Sequence, residues 1–220
     1  MSATHRFYPA INLHQTNLDA VVSVSIDKGR WGYAPALISG GAWSNWESAR
    51  QYAGAKIDAW TRVGERVRLS GTLSAQREFY PTAASRDGWL FSVDTAADRF
   101  LSPSSFVRVI AGVSVKEAAA GRNSWVEGGG GLGFYREFSA GLSLYAEGRF
   151  AHRAYRETGF GLDSPQRDNR IEAKFVVTKS DMKLWGAAPQ LSYGYTRNFS
   201  NNVFDDTERH DIDARLTKAF

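Results

Sequence analysis

Four histidines, His5, His14, His152 and His210, are the residues of this chain best suited to proton transfer or metal binding. No Ser–His or Asp–His pair recurs at a spacing that suggests a triad, and no two histidines sit close enough in sequence to suggest a metal pair. The chain has no cysteine, which excludes a thiol nucleophile, a disulfide scaffold and a Cys-ligated zinc or iron–sulfur site. The run Gly128-Gly129-Gly130-Gly131-Leu132-Gly133 invites comparison with a phosphate loop, but the Lys-Ser/Thr that would reach phosphates and Mg²⁺ is missing. Glycines there are expected to allow close packing, curvature or space for a bulky neighbour. No catalytic residue, metal or cofactor is expected. A net charge of +4, spread along the chain, gives no reason to expect a nucleic-acid partner.

The ionic residues carry a different signal, one of spacing. Lys56 and Asp58, Arg68, Arg108, Glu147, Arg149 and Arg153, Glu172 and Lys174, and Asp213 and Arg215 fall on one parity of alternating segments. The opposite parity is apolar: Leu142, Leu144, Ala146, Gly148 and Phe150 alternate with Ser143, Tyr145, Glu147 and Arg149. Successive side chains of a strand point to opposite faces, so each segment has one greasy face and one charged face. Comparable alternation covers 53–62, 67–76, 89–100, 107–116, 126–134, 170–177, 189–197 and 210–220, with weaker versions at 7–13, 22–26 and 33–37.

The stretch Leu142–Tyr155 would span roughly 46 Å at about 3.3 Å per residue, well beyond an ordinary strand. No segment has the run of apolar residues that a membrane-crossing helix needs. A small soluble barrel fills its interior with apolar side chains, and burying so many ions inside one is costly. Turned inside out, with the apolar face on lipid and the ionic face inward, the same pattern suits a membrane. We therefore expect an all-β fold: an antiparallel transmembrane β-barrel of about twelve strands. Long and short connections alternate, with Gly40–Ala49, Tyr80–Gly88, Glu157–Asp168 and Asn198–Arg209 long. The pattern fits short periplasmic turns and longer extracellular loops. Aromatic residues near the strand ends (Trp31, Phe100, Phe106, Phe138, Trp185 and Phe220 at one rim; Tyr80, Trp89, Trp125, Tyr155 and Tyr195 at the other) are expected to form two headgroup-level girdles.

Particular residues carry a resemblance. Gly141-Leu142-Ser143-Leu144, Arg153-Ala154-Tyr155, Arg167-Asp168, the stretch from Pro189 to Asn201, and Leu216-Thr217-Lys218-Ala219-Phe220 resemble, in that order, the C-terminal barrel of surface lipoprotein assembly modifiers. The likeness is best over 106–220 and extends to about residue 20. It implies a barrel of about fourteen strands in the Gram-negative outer membrane, assisting lipoproteins to the cell surface. The implied partners are outer-membrane lipid, the barrel-assembly machinery and a lipoprotein client. Leu216 and Phe220 would then serve as the barrel-insertion signal.

The ionic row would line a conduit for a polar substrate, against the ordinary alternative of mutual salt bridges across strands. Family members carry a signal peptide and a tetratricopeptide-repeat domain ahead of the barrel. Neither pattern appears here, so a truncated start or a fragment is expected, with residues 1–18 an N-terminal segment or first strand and 19–220 the barrel domain. A passive porin-type channel and a barrel hydrolase are the competing functions. Asn201-Asn202 and Asp205-Asp206 are expected in a solvated outer loop.

Overall fold

The structure is a computed structural model, which describes residues 2–8, 13–183 and 185–217, with side chains from His14 onward. Period-2 alternation becomes strand throughout. The strands are β1 (Ser2–Tyr8), β2 (Leu13–Ser23), β3 (Ile26–Asp27), β4 (Trp31–Ser44), β5 (Glu47–Val63), β6 (Val67–Phe79) and β7 (Gly88–Ser102). They continue with β8 (Ser105–Ala118), β9 (Trp125–Glu137), β10 (Leu142–Tyr155), β11 (Arg167–Lys179), β12 (Ala188–Ser200) and β13 (Thr207–Thr217). All thirteen join one sheet. The two-residue β3 pairs beside the main path, leaving twelve strands in a sequential meander. Every pairing is antiparallel. Among the described residues no ladder joins β1 to β13.

The distribution of burial is the reverse of a soluble domain. Only Ala36 and Ile110 are buried hydrophobic residues among those described, whereas Glu78, Asp98, Lys116 and Asp168 are buried. Leu73, Val113, Leu132, Ile171 and Leu191 stand exposed on the opposite face. A sheet that hides its ions and shows its aliphatics has the inside-out pattern of a transmembrane barrel.

Three details differ from the sequence reading. The stretch Gly40–Ala49 is not a long loop: β4 and β5 run through it and turn at Asn45 and Trp46, both left-handed (φ 49° and 70°), the geometry of a tight hairpin. The first strand expected at 7–13 instead straddles the end of β1 and the start of β2, with residues 9–12 outside the described residues. The expected strand 22–26 is displaced likewise, since β2 ends at Ser23. Apart from that hairpin, residues 80–87, 119–124, 156–166 and 201–206 connect strands at one end of the sheet. At the other end lie the shorter links 64–66, 103–104 and 138–141, and the longer 180–187. In that last link Lys179 hydrogen-bonds Asp181 (2.8 Å) and holds its carboxyl below the usual carboxylate range.

Candidate functional site

Residues directly opposite each other in an antiparallel pair share a face. One row therefore runs Arg62, Arg68, Asp98, Arg108, Gly133, Glu147, Lys174, Gly194, Asp211 from β5 to β13. The next row runs Ala96, Ile110, Gly131, Arg149, Glu172, Thr196. The same pairing puts Lys56 beside Ser74, Asp58 beside Thr72, Arg153 beside Glu127 and Asp168, Asp213 beside Ser192, and Arg215 beside Gln190. All of the ionic residues singled out above thus lie on a single face. Leu216 is on the other face, exposed, and Phe220 lies outside the described residues.

Two ionic clusters form on this face. In the first, Lys116 of β8 donates to Glu78 of β6, across β7. The intervening position opposite Glu78 is Gly88, which offers no side chain to block the reach. Arg50 (3.3 Å), Gln76 (3.0 Å) and Tyr80 (3.1 Å) also donate to the Glu78 carboxylate. Glu78 and Lys116 are 2% and 5% exposed, so each charge depends on the other for solvation. The second cluster spans β7 to β11. Asp98 accepts two hydrogen bonds from Arg108 (2.6 and 2.9 Å). Glu147 accepts from Tyr145 and from Arg149 (2.5 Å). Glu127 lies between Arg153 (2.7 Å) and Arg170 (2.9 Å).

The glycines of β9 make the second cluster possible. A Cβ on Gly133 would sit 2.9 Å from the Tyr145 hydroxyl and 3.3 Å from the Arg108 Cβ; one on Gly131 would sit 2.8 Å from the Arg149 Cγ. A Cβ on Gly128, on the other face, would meet nothing within 4 Å. Bulky ionic side chains from β8 and β10 therefore close over a bare strand.

Lys56 and Asp58 pair along their own strand (2.6 Å), with Thr72 donating to the same carboxylate (2.6 Å). Arg215 donates to Gln190 (2.5 Å). Lys174 and Arg68 have no ion pair among the described residues. Glu78 and Arg50 escaped the sequence reading because Arg77 breaks the apolar parity after Ala75. Yet Gln76, Glu78 and Tyr80 continue the parity of Arg68 to Ser74, and that signal was available.

The aromatic girdles need correction. Trp31, Trp89 and Tyr195 have the apolar parity, but Phe100, Phe106, Tyr80, Trp125 and Tyr155 have the polar one. Trp125 carries the Arg153 guanidinium 4.1 Å above its ring, and Phe106 stacks on Tyr135. These rings pack against cations and each other, a use of aromatic faces the sequence pattern did not separate from interfacial anchoring. The segment 201–206 is also less solvated than expected. Asn202 donates to Gln166 (3.1 Å) and Asp205 accepts from Gln166 (2.9 Å), tying it to the neighbouring connection 156–166. His152 contacts Asn169 (2.9 Å) and His210 contacts Tyr193 (2.8 Å), both with apolar-face parity. No group of three potential metal ligands occurs among the described residues.

Comparison with known proteins now has a geometry to refer to. Among solved structures the chain is similar to the ferric citrate transporter FecA in its unliganded form. That likeness has a TM-score of 0.41 and 10% identity, over 93% of this chain and 38% of that one. Among curated proteins, surface lipoprotein assembly modifier 1 of Haemophilus influenzae is 27% identical over 89 residues, which is 40% of this chain and 18% of that protein. Residues 20–220, nearly the whole meander of alternating strands, match the family described as surface lipoprotein assembly modifier, and the chain belongs to that family.

Proposed function

We propose that this chain is an outer-membrane β-barrel of a Gram-negative bacterium that assists translocation and display of lipoproteins at the cell surface, without a catalytic step. Residues 19–220 form the barrel domain in this reading. Lys56, Asp58, Arg68, Arg108, Glu147, Arg149, Arg153, Glu172, Lys174, Asp213 and Arg215 line its interior. The barrel-assembly machinery recognises a terminal signal containing Leu216 and Phe220. The lipoprotein client engages from the periplasm and leaves through the interior or a seam between strands.

The observation that supports the reading is the inverted burial of the sheet: ion pairs are sheltered on one face and aliphatic side chains are bare on the other. Water on the ionic face and lipid on the apolar face are the surroundings in which both satisfy their solvation. The test is surface proteolysis of a tagged lipoprotein encoded beside this gene, in cells with and without the full-length protein. Protease-accessible lipoprotein only in the presence of the barrel supports the proposal. Unchanged accessibility together with a steady, unselective conductance in planar bilayers overturns it in favour of a passive channel.

A further inference from the structure

The ionic face is well paired along β7–β11 but not at the rim where β5 turns into β6 and β7 into β8. There Arg62, Arg66 and Arg68 converge on a recess of about 580 Å³. Arg62 and Arg68 are directly opposite each other, a like-charge pairing that costs stability unless something neutralises it. The acid across from Arg68 is Asp98, and it is already held at both oxygens by Arg108. Arg68 is left over the ring of Trp60, 5.5 Å from its centroid. Glu65 is the acid that lines the recess, and neither it nor any of these arginines enters an ion pair among the described residues. Arg30 is brought alongside, its carbonyl accepting the Arg62 N–H (2.7 Å).

The walls supply the second half of the argument. Phe100 comes from the polar face, while Val67 and Leu101 come from the apolar face, so the recess wraps over the rim of the sheet. A ligand seated there meets guanidinium groups at one end and a continuous aliphatic surface at the other. Guanidinium forks bind phosphate oxygens in pairs, and cationic pockets at a membrane surface select anionic headgroups.

We infer that this rim holds an anionic phospholipid, its phosphate between Arg62, Arg66 and Arg68 and its chains running over Val67 and Leu101. The inference rests on the membrane placement proposed above, and goes beyond it by assigning a lipid class to a specific site.

The experiment is native mass spectrometry of the full chain released from nanodiscs containing phosphatidylglycerol or phosphatidylcholine. We expect a bound phosphatidylglycerol to persist under activation that strips phosphatidylcholine. The double variant Arg62→Gln/Arg68→Gln should weaken its retention about thirtyfold. The control Arg86→Gln/Arg167→Gln, with the same loss of charge at the opposite end of the sheet, should retain it. Equal retention of the two lipids, retention unaffected by Arg62→Gln/Arg68→Gln, or equally tight binding of soluble glycerol phosphate each overturns the inference, as does preferential capture of an acidic peptide. A chain that holds no lipid of either kind and stays monodisperse without detergent overturns the membrane placement as well, which separates the two failures.

Discussion

Glu78 shows what the ionic face asks of a single side chain. Its carboxylate is almost completely enclosed and depends on Lys116, Arg50, Gln76 and Tyr80 for the hydrogen bonds that water would otherwise provide. Replacing it as Glu78→Leu strands two cations, and removal of one partner from a buried pair costs about 3–5 kcal/mol. The double variant Glu78→Leu/Lys116→Met removes most of the uncompensated charge and should recover a substantial part of that loss. Urea unfolding in detergent micelles, followed by tryptophan fluorescence, checks both. A double variant no better than the single one would show that the two residues do not act as a pair. A smaller effect concerns Ala140, which turns between β9 and β10 with φ 58°, a left-handed conformation that disfavours any residue with a Cβ. Ala140→Gly should therefore stabilise by about 0.5–1 kcal/mol in the same assay.

At the scale of the strand, the two faces of β6 and β9 should respond oppositely to the same insult. Leu73 is exposed on the apolar face and Ser74 lies on the polar one. Leu73→Arg should cost about 2–4 kcal/mol in a bilayer, whereas Ser74→Arg should cost under about 1 kcal/mol; equal costs would mean that the apolar face does not meet lipid. On β9, Gly131→Val would force a side chain into Arg149 and cost about 1–3 kcal/mol, while Gly128→Ala, into open space, should be nearly neutral. Folded fractions from heat-modifiable gel migration distinguish these outcomes.

Alternation made the strands legible because lipid and water impose opposite demands on adjacent residues. It failed where side chains are small. Ser39, Gly40 and Gly41 read as loop, yet Gly40 is a strand residue whose missing Cβ leaves room for Tyr52: a Cβ there would lie 2.7 Å from the tyrosine hydroxyl. Tyr52 in turn donates to Asp19 (2.6 Å), a contact between β5 and β2 that no local pattern encodes. The ionic row was legible as a face. Which acid meets which base was not, because Lys116 and Glu78 find each other across an intervening strand and only at a glycine.

The whole molecule poses a problem of edges. With no water in the hydrocarbon layer, unpaired backbone N–H and C=O groups cost several kcal/mol each, so a membrane-embedded sheet has to close. Along the path from β1 to β13 the strands alternate in direction and number twelve, an even count that leaves the first and last antiparallel. The chain therefore has the parity needed to satisfy its own edges, as bacterial barrels do. We expect β13 in liposomes to exchange its amide hydrogens about as slowly as β8, which is paired on both sides. Deleting residues 1–12 should then accelerate exchange selectively in β13 and leave β8 unchanged, as read by hydrogen–deuterium exchange mass spectrometry. If β13 exchanges rapidly in the intact chain, its outer edge is open to water and the barrel does not close. If it stays slow after the deletion, some strand other than β1 covers that edge, and closure by β1 is ruled out. The distinction bears directly on the proposed activity, because a client leaving through a seam would part the weakest ladder of the sheet, and a first-to-last junction is the pairing built from the two most distant segments of the chain.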